Sequence, residues 1–136
     1  MMKNSEGFTL LELVIVIFIV GVLSSVAKPY YIEYRTKAER QNAIADILSI
    51  ADYLKDYRAV NSTYTGATPP VIDSNFYTAT YTINANTFVI QQTPKQETTQ
   101  KGDGVICYNH LGQKLWRLGN TSCNGLSEDS NGQGRQ

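Results

Sequence analysis

The chain has 136 residues, and its twelve Lys and Arg balance its twelve Asp and Glu, so the formal net charge at pH 7 is zero. This length accommodates one domain and one additional segment. The balanced charge excludes a strong overall field that would draw the whole chain to nucleic acid or to an acidic surface. With a single His and no nucleophile-elbow, P-loop or H-E-x-x-H pattern, the sequence does not indicate an enzyme, and it predicts neither a cofactor nor a metal centre.

An apolar run begins at Phe8 and continues to Ala27, and Glu12 is the only charged residue in it. These twenty residues are enough to cross a bilayer as one helix. A carboxylate inside such a helix costs about 2.5–3.5 kcal/mol on insertion scales, so Glu12 needs a partner. Cleavage between Gly7 and Phe8 would supply one, because the new α-amino group of Phe8 would lie one helical turn from Glu12.

The sequence from Gly7 to Glu12 resembles the start of type IV prepilins: a short hydrophilic leader that ends in Gly, then Phe, then Glu four residues later. The resemblance is strong over residues 7–64, and the head looks most like the PilE-like minor pilins. It implies that a prepilin peptidase cleaves after Gly7 and that Phe8 is N-methylated. Pairing of Glu12 with the Phe8 amine of a neighbouring subunit would neutralise both charges, so we expect Glu12 to act in assembly, although the two groups could also pair within one chain across a helical turn. The implied function is a structural subunit, major or minor, of a type IV pilus that supports pilus assembly, adhesion, twitching motility or DNA uptake.

The same resemblance implies the partners and the location of the protein. The partners would be other pilin subunits, the prepilin peptidase, the pilus assembly platform of the inner membrane and the membrane itself, with nucleic acid as a further candidate. Lys3 precedes the apolar run, and this orients the N-terminus toward the cytoplasm. We therefore expect a single-pass inner-membrane protein before assembly and an extracellular pilus (fimbrium) subunit afterwards.

Two other interpretations of the N-terminus remain open. In the first, Lys3, the apolar stretch Leu13–Leu23 and the small residues of Ser25-Val26-Ala27 form an ordinary secretory signal peptide. In the second, the run is an uncleaved membrane anchor. Neither interpretation explains Glu12 or the Gly–Phe junction.

A helical pattern continues beyond Pro29 and ends near Asn61, with apolar side chains at the spacing of one helical face. Gly21 is a poor helix former and Pro29 removes a backbone donor, so both predict a helix break between an apolar and an amphipathic half. In pilins, which the chain resembles, the segment between such residues loosens when subunits pack in the filament. The predicted apolar stripe comprises Ile44, Ile47, Leu48, Ala51, Leu54 and Tyr57.

Four short strands are predicted after the helix, at Phe76–Ile83, Thr87–Gln91, Val105–Tyr108 and Lys114–Leu118. The fold class is therefore α+β: a long N-terminal helix with a transmembrane first half, packed against a four-stranded antiparallel sheet as in the type IV pilin fold. The predicted segments are a leader at 1–7, a transmembrane and polymerisation helix at 8–28, a globular head with the amphipathic helix at 29–126 and a flexible tail at 127–136.

Cys107 and Cys123 are the two cysteines of a chain that the N-terminus marks for export. An oxidising compartment favours a disulfide between them. The alternative is half of a zinc site, since Cys107 and His110 have C-x-x-H spacing, but one His and two Cys cannot complete a four-ligand site within one copy. The pair also resembles the disulfide that encloses the C-terminal loop of pilin heads.

Basic residues near the C-terminal hairpin suggest an alternative function, that of a DNA-binding competence pilin. A basic patch interleaved with aromatic residues is typical of nucleic-acid binding, although a solvated hairpin face explains the same residues equally well. The candidate contacts with DNA or another ligand are Lys95, Lys101, Lys114, Arg117 and Trp116.

A second alternative is a pseudopilin of a type II secretion system, which shares the N-terminal pattern. The major pseudopilin usually has an N-x-x-Y-P-T segment and a calcium loop in place of the disulfide. Here Asn61-Ser62-Thr63-Tyr64 is followed by Thr65-Gly66, and the chain has two cysteines.

Overall fold

The computed structural model describes residues 7–126, which form one helix followed by four strands. The helix α1 covers Leu10–Asn61, and the strands are β1 at Tyr77–Ile83, β2 at Phe88–Pro94, β3 at Ile106–Asn109 and β4 at Lys114–Trp116. This order confirms the predicted α+β class. The predicted tail at 127–136 and all of the predicted leader except Gly7 lie outside the described residues.

Helix α1 is continuous over 52 residues and includes both Gly21 and Pro29. The predicted break is therefore absent from the single chain, because a proline removes only one backbone donor from a helix that continues for many turns on both sides. Loosening of this segment during assembly stays a prediction. The hydroxyl groups of Ser24 and Ser25 donate hydrogen bonds to the carbonyls of Val20 and Val22, so neither hydroxyl is unsatisfied in the apolar half.

The chain divides into two compact units between Arg35 and Thr36, seven residues beyond the predicted boundary at 28/29. In the first unit every described side chain is exposed. Within residues 7–126, α1 is the one helix long and apolar enough to cross a membrane, and none of its apolar window is buried inside the chain. Among residues 7–126, therefore, nothing covers the apolar half of α1.

In the second unit, one face of α1 packs against one face of the sheet. The helix side of this core is formed by Ala43, Ile47, Ile50, Ala51 and Leu54, and the sheet side includes Tyr77, Phe88, Ile90, Ile106 and Tyr108. The predicted stripe was partly wrong: Leu48 is 44% exposed, whereas Ala43 and Ile50 are buried. Several apolar residues flank the true face, so the sequence pattern alone fits two neighbouring helical faces.

The sheet is an antiparallel meander in the order β1-β2-β3-β4. Strand β2 extends beyond its predicted end to Pro94, because β1 pairs with it along its full length, from Ile83↔Phe88 to Tyr77↔Pro94. Strand β4 ends at Trp116 instead of the predicted Leu118. It stops there because the chain turns immediately afterwards: the backbone N–H of Asn120 donates to the carbonyl of Arg117 over 3.1 Å.

A second, smaller core covers the other face of β3 and β4. The segment after β4 turns back over the sheet and is joined to it by the disulfide between Cys107 and Cys123. Both faces of β3 are therefore covered, and all four of its residues are buried. The members of this second core are Val105, Cys107, Leu115 and Leu126, with Val89 and Cys123 packed against them.

Candidate functional site

The N-terminal end of α1 carries the predicted cleavage and assembly residues. Phe8 is 88% exposed. The hydroxyl of Thr9 accepts a hydrogen bond from the backbone N–H of Glu12 over 3.2 Å, which is half of a capping box at the helix start. The sequence analysis missed this signal, although Thr9-x-x-Glu12 is its usual form. The Glu12 side chain is exposed, and its carboxylate has no ion-pair partner among residues 7–126.

A buried ion pair fixes the β2–β3 loop to α1. The guanidinium Nε of Arg40 donates to Oδ2 of Asp103 over 2.8 Å, and its Nη2 donates to Oδ1 of the same carboxylate. The Asp103 side chain is only 2% exposed. The hydrogen bond to Asp103 raises the pKa of Arg40, although partial burial of the guanidinium opposes this effect.

Two more side chains complete this polar network. The Tyr77 hydroxyl donates to Oδ2 of Asp103 over 2.7 Å and lies 3.1 Å from Oε1 of Gln100. The Gln100 amide donates in turn to the carbonyl of Thr36 over 3.2 Å. Burial, together with the hydrogen bond to Asp103, raises the pKa of Tyr77 far above that of an exposed tyrosine. These contacts join α1, β1 and the β2–β3 loop, so the network stabilises the head.

The structure assigns Trp116 to this network and not to an open surface. One face of its ring is covered by the guanidinium of Arg40, 3.8 Å from the ring centroid. Its indole N–H donates to the backbone carbonyl of Asp103 over 3.0 Å. A base could not stack on the covered face, and contact of Trp116 with DNA stays a prediction.

The four predicted basic contacts differ in their surroundings. Lys95 is engaged at the start of β1, where its Nζ donates to the carbonyl of Ser74 over 2.7 Å and lies 3.5 Å from Oδ1 of Asp73. Lys101 and Arg117 are exposed. The loop that carries Lys101 packs closely against the end of β4. At Gly104 there is no room for a side chain, since an added Cβ would lie only 2.1 Å from the carbonyl oxygen of Arg117.

Lys114 belongs to a basic and aromatic cluster that the sequence analysis missed. Lys114 and Tyr108 are directly paired across β3 and β4. From α1, the Nζ of Lys55 lies 5.8 Å from the centroid of the Tyr108 ring, so lysines from two elements flank one aromatic ring. One turn further along α1, the guanidinium of Arg58 lies 4.9 Å from the ring of Tyr64.

We call Lys55, Arg58, Tyr64, Tyr108 and Lys114 the basic cluster. Among residues 7–126, none of its three cations has an acidic side chain within ion-pair distance. Lys55, Arg58 and Tyr64 also line one open depression at the end of α1. The helical spacing of Lys55 and Arg58 could have suggested a shared surface, but their proximity to β3 depends on the packing of α1 against the sheet.

The alternative zinc half-site is not formed, since the sulfur of Cys107 is bonded to that of Cys123 and cannot act as a thiolate ligand. His110 lies in the β3–β4 turn, where its backbone N–H donates to the carbonyl of Phe88 over 3.1 Å. Its ring packs edge-on against the Phe88 ring, with the centroids 6.4 Å apart. These contacts give His110 a structural role in the turn.

Known protein families match both the N-terminal helix and the head of the chain. Residues 2–27 match the prokaryotic N-terminal methylation motif. Residues 29–111 match the family described as type IV minor pilin ComP, DNA uptake sequence receptor. The chain belongs to this family of type IV minor pilins. The match covers more than half of the chain and includes α1 beyond Pro29, the first three strands and the basic cluster except Lys114.

Solved structures show the pilin fold. The pilin is similar to the non-core minor pilin PilV of Neisseria meningitidis, with a TM-score of 0.57 and 17% identity over 68% of this chain and 96% of that one. It is also similar to a type IV pilin from Shewanella oneidensis, with a TM-score of 0.52 and 20% identity over 59% of this chain and 90% of that one. At these identities the likeness concerns the fold alone.

Curated relatives match over shorter stretches. The type II secretion system core protein G of Dickeya chrysanthemi is 41% identical over 64 residues, which are 47% of this pilin and 42% of the relative. A fimbrial protein of Pseudomonas aeruginosa is 37% identical over 49 residues, which are 36% of this pilin and 32% of the relative. The pilin thus spans less than half the length of these relatives. The secretion relative fits the pseudopilin alternative, whereas the family match fits the pilus interpretation.

Proposed function

We propose that this minor pilin enters a type IV pilus through its N-terminal helix and binds double-stranded DNA through its head. The observation that carries the proposal is the basic cluster, in which Lys55 and Lys114 flank the ring of Tyr108 within a head of the ComP family. The printed description of that family, a DNA uptake sequence receptor, supports DNA as the ligand.

The first part of the proposal concerns maturation. A prepilin peptidase cleaves after Gly7, and the new N-terminus at Phe8 is methylated. The match of residues 2–27 to the N-terminal methylation motif and the exposure of Phe8 support this step. The subunit then spans the inner membrane once, with its N-terminus toward the cytoplasm, until the assembly platform transfers it to the extracellular pilus.

The second part concerns docking between subunits. The Glu12 carboxylate of one subunit pairs with the Phe8 amine of its neighbour, which neutralises two charges in surroundings that exclude water. Such an attraction is strong only at low dielectric, so it favours fully seated subunits. The exposed carboxylate of Glu12 and the fully exposed apolar half of α1 support this role.

Substitution of Glu12 by Val tests docking. The Thr9 cap uses the backbone N–H of Glu12 and is retained, so Glu12→Val should still insert and be processed. We expect the processed variant to accumulate in the inner membrane and to be depleted from sheared pili, whereas a Val14→Leu control enters them normally. If Glu12→Val reaches sheared pili at the wild-type ratio, Glu12 has no docking role.

The third part concerns DNA. The cations of the basic cluster neutralise phosphates, and such contacts supply affinity that falls steeply with salt. Lys55 and Lys114 come from different elements but share Tyr108, so they present two charges at a position defined by the packed head.

Fluorescence anisotropy with labelled duplex DNA tests this part, on the full mature protein in lipid nanodiscs. We expect the double variant Lys55→Gln, Lys114→Gln to bind more weakly, with the log–log salt slope reduced by about 1 for each lysine removed. Lys95→Gln is the matched control, since Lys95 is engaged with Ser74 and Asp73 and should leave binding unchanged. Equal affinities and slopes for the double variant and the wild type would overturn DNA binding through this cluster, with docking through Glu12 unaffected.

A further inference from the structure

Three tyrosines follow the apolar half of α1 within a stretch of five residues. Tyr30, Tyr31 and Tyr34 are 69%, 63% and 74% exposed, so none of them is part of a core within its own subunit. All three belong to the same compact unit as the apolar run, and this unit ends at Arg35. Exposed aromatic rings that directly continue a lipid-compatible helix face need a partner that accepts both a ring and a hydroxyl group.

Helix geometry gives the depth of these rings in a bilayer. At about 1.5 Å per residue, the run from Phe8 to Ala27 spans roughly the 30 Å of a hydrocarbon core. Tyr30 and Tyr34 then lie about 33 and 39 Å from Phe8 along the helix. A bilayer with its headgroup layers is about 40–45 Å thick, so each headgroup layer is about 5–7.5 Å deep. The backbone of Tyr30 falls within the outer layer. The backbone of Tyr34 lies about 2–4 Å beyond it, and its side chain, inclined toward the helix N-terminus, reaches back into the layer.

The chemistry of the segment matches that layer. Tyrosine has an apolar ring and a polar tip, and it is enriched at membrane–water interfaces. Tyr30 and Tyr34 are four residues apart and lie on one side of the helix, while Tyr31 is rotated by about 100°. Lys28, between the apolar run and the tyrosines, can extend its ammonium group toward lipid phosphates while its alkyl chain stays in apolar surroundings.

We propose that Tyr30, Tyr31 and Tyr34 form an interfacial belt that docks in the outer headgroup layer of the inner membrane and sets the depth of the unassembled subunit. Continuity with the apolar run argues for lipid as the partner. The belt opposes sliding of α1 along its own axis, since a shift in either direction moves phenol groups out of the layer. It thereby also holds Glu12 at a constant depth before assembly. This role concerns the stored subunit and is independent of DNA binding.

Depth-dependent quenching tests the belt on the full mature protein in vesicles of phosphatidylethanolamine and phosphatidylglycerol, at a dilution that keeps the protein monomeric. The probe is Tyr31→Trp, and the unsubstituted protein, whose single Trp is Trp116 in the head, gives the background. We expect blue-shifted emission from the introduced indole and strongest quenching by lipids brominated close to the headgroup. Emission as in water, without quenching by any brominated lipid, would overturn the proposal.

A second measurement separates the membrane from packing between subunits. In the triple variant Tyr30→Ala, Tyr31→Ala, Tyr34→Ala, a Phe18→Trp probe within the apolar run should change its quenching depth or give a broader depth distribution. The matched control replaces the same tyrosines by Phe, which keeps the rings at the interface without adding an indole, and should keep the Phe18→Trp probe at its original depth. If the alanine variant keeps the probe depth but enters pili poorly, the tyrosines serve contacts between subunits and the belt is overturned.

Discussion

Arg40 and Asp103 are 63 residues apart in the chain and form a two-pronged, buried ion pair between α1 and the β2–β3 loop. The pair is covered by Trp116 on one side and shares its carboxylate with the Tyr77 hydroxyl. It connects four parts of the head: the helix, β1, β4 and the loop. This ion pair explains how the β2–β3 loop, which is long and contains no strand, is held in one conformation.

We expect Asp103→Asn to lower the free energy of unfolding by about 3 kcal/mol, because it leaves the Arg40 guanidinium partly buried without its counter-charge. Asp73→Asn is the matched control: the Asp73 side chain is 88% exposed beside Lys95, and such pairs contribute about 1 kcal/mol or less. Urea denaturation of the mature protein in micelles measures both. Equal losses for the two variants would show that burial does not strengthen the Arg40–Asp103 pair.

The Tyr77 hydroxyl makes stability depend on pH in the alkaline range. An unfolded chain loses the tyrosine proton near pH 10, whereas the raised pKa of Tyr77 keeps the proton in the folded state. The unfolded state then binds fewer protons, so this stability is fully present below about pH 10 and is lost above it, by at most about 1.4 kcal/mol per pH unit.

Unfolding measured at closely spaced alkaline pH values checks this sign. Tyr77→Phe keeps the ring but has no proton to lose, so the variant is less stable near neutral pH and its stability should fall less steeply above pH 10. A phenolate absorbance titration provides a second measurement, in which the folded wild type should retain one more unionised tyrosine than the folded Tyr77→Phe variant. The same alkaline slope in both proteins would contradict the role of Tyr77.

Two neighbouring glycines offer a matched test of close packing. Gly102 and Gly104 both have positive φ, at 78° and 100°. A Cβ at Gly104 would lie 2.1 Å from the Arg117 carbonyl oxygen, whereas a Cβ at Gly102 meets nothing within 4 Å. Gly102→Ala should therefore cost only the backbone strain, about 1–2 kcal/mol, and Gly104→Ala distinctly more. Thermal unfolding compares them, and equal melting temperatures would mean that the loop can move away from β4.

Two buried glutamines differ in their hydrogen-bond partners, so replacing each of them by leucine should change the stability of the protein in opposite directions. Gln92 and Gln100 are both fully buried, but neither polar atom of the Gln92 amide has a hydrogen-bond partner among the described residues, while Gln100 contacts Thr36 and Tyr77. Replacing an unpaired buried amide by an apolar group of similar size is neutral or stabilising, by about 1–3 kcal/mol. We expect Gln92→Leu to be at least as stable as the wild type and Gln100→Leu to be less stable. A clear loss in Gln92→Leu would show that its amide is paired in solution.

Local sequence patterns were sufficient for the class of the fold and for the membrane-compatible helix. The run from Phe8 to Ala27 is apolar on every side, and this property does not depend on any other part of the chain. The alternating aromatic and β-branched residues around Tyr77–Ile83 predicted a strand for the same reason. Cys107 and Cys123 are the only cysteines of the sequence. Export to an oxidising compartment therefore predicted a disulfide between them.

Tertiary packing decided which residues of the head act together. Leu48 and Ile50 are equally apolar, and only the position of the sheet against α1 determines that Ile50 is buried and Leu48 exposed. Trp116 has the sequence surroundings of a surface aromatic, but Arg40, from the helix, covers its ring. Lys55 and Lys114 are 59 residues apart, and they flank Tyr108 because the helix lies across the meander. Periodicity describes one element at a time, whereas the charge of a surface depends on which elements face each other.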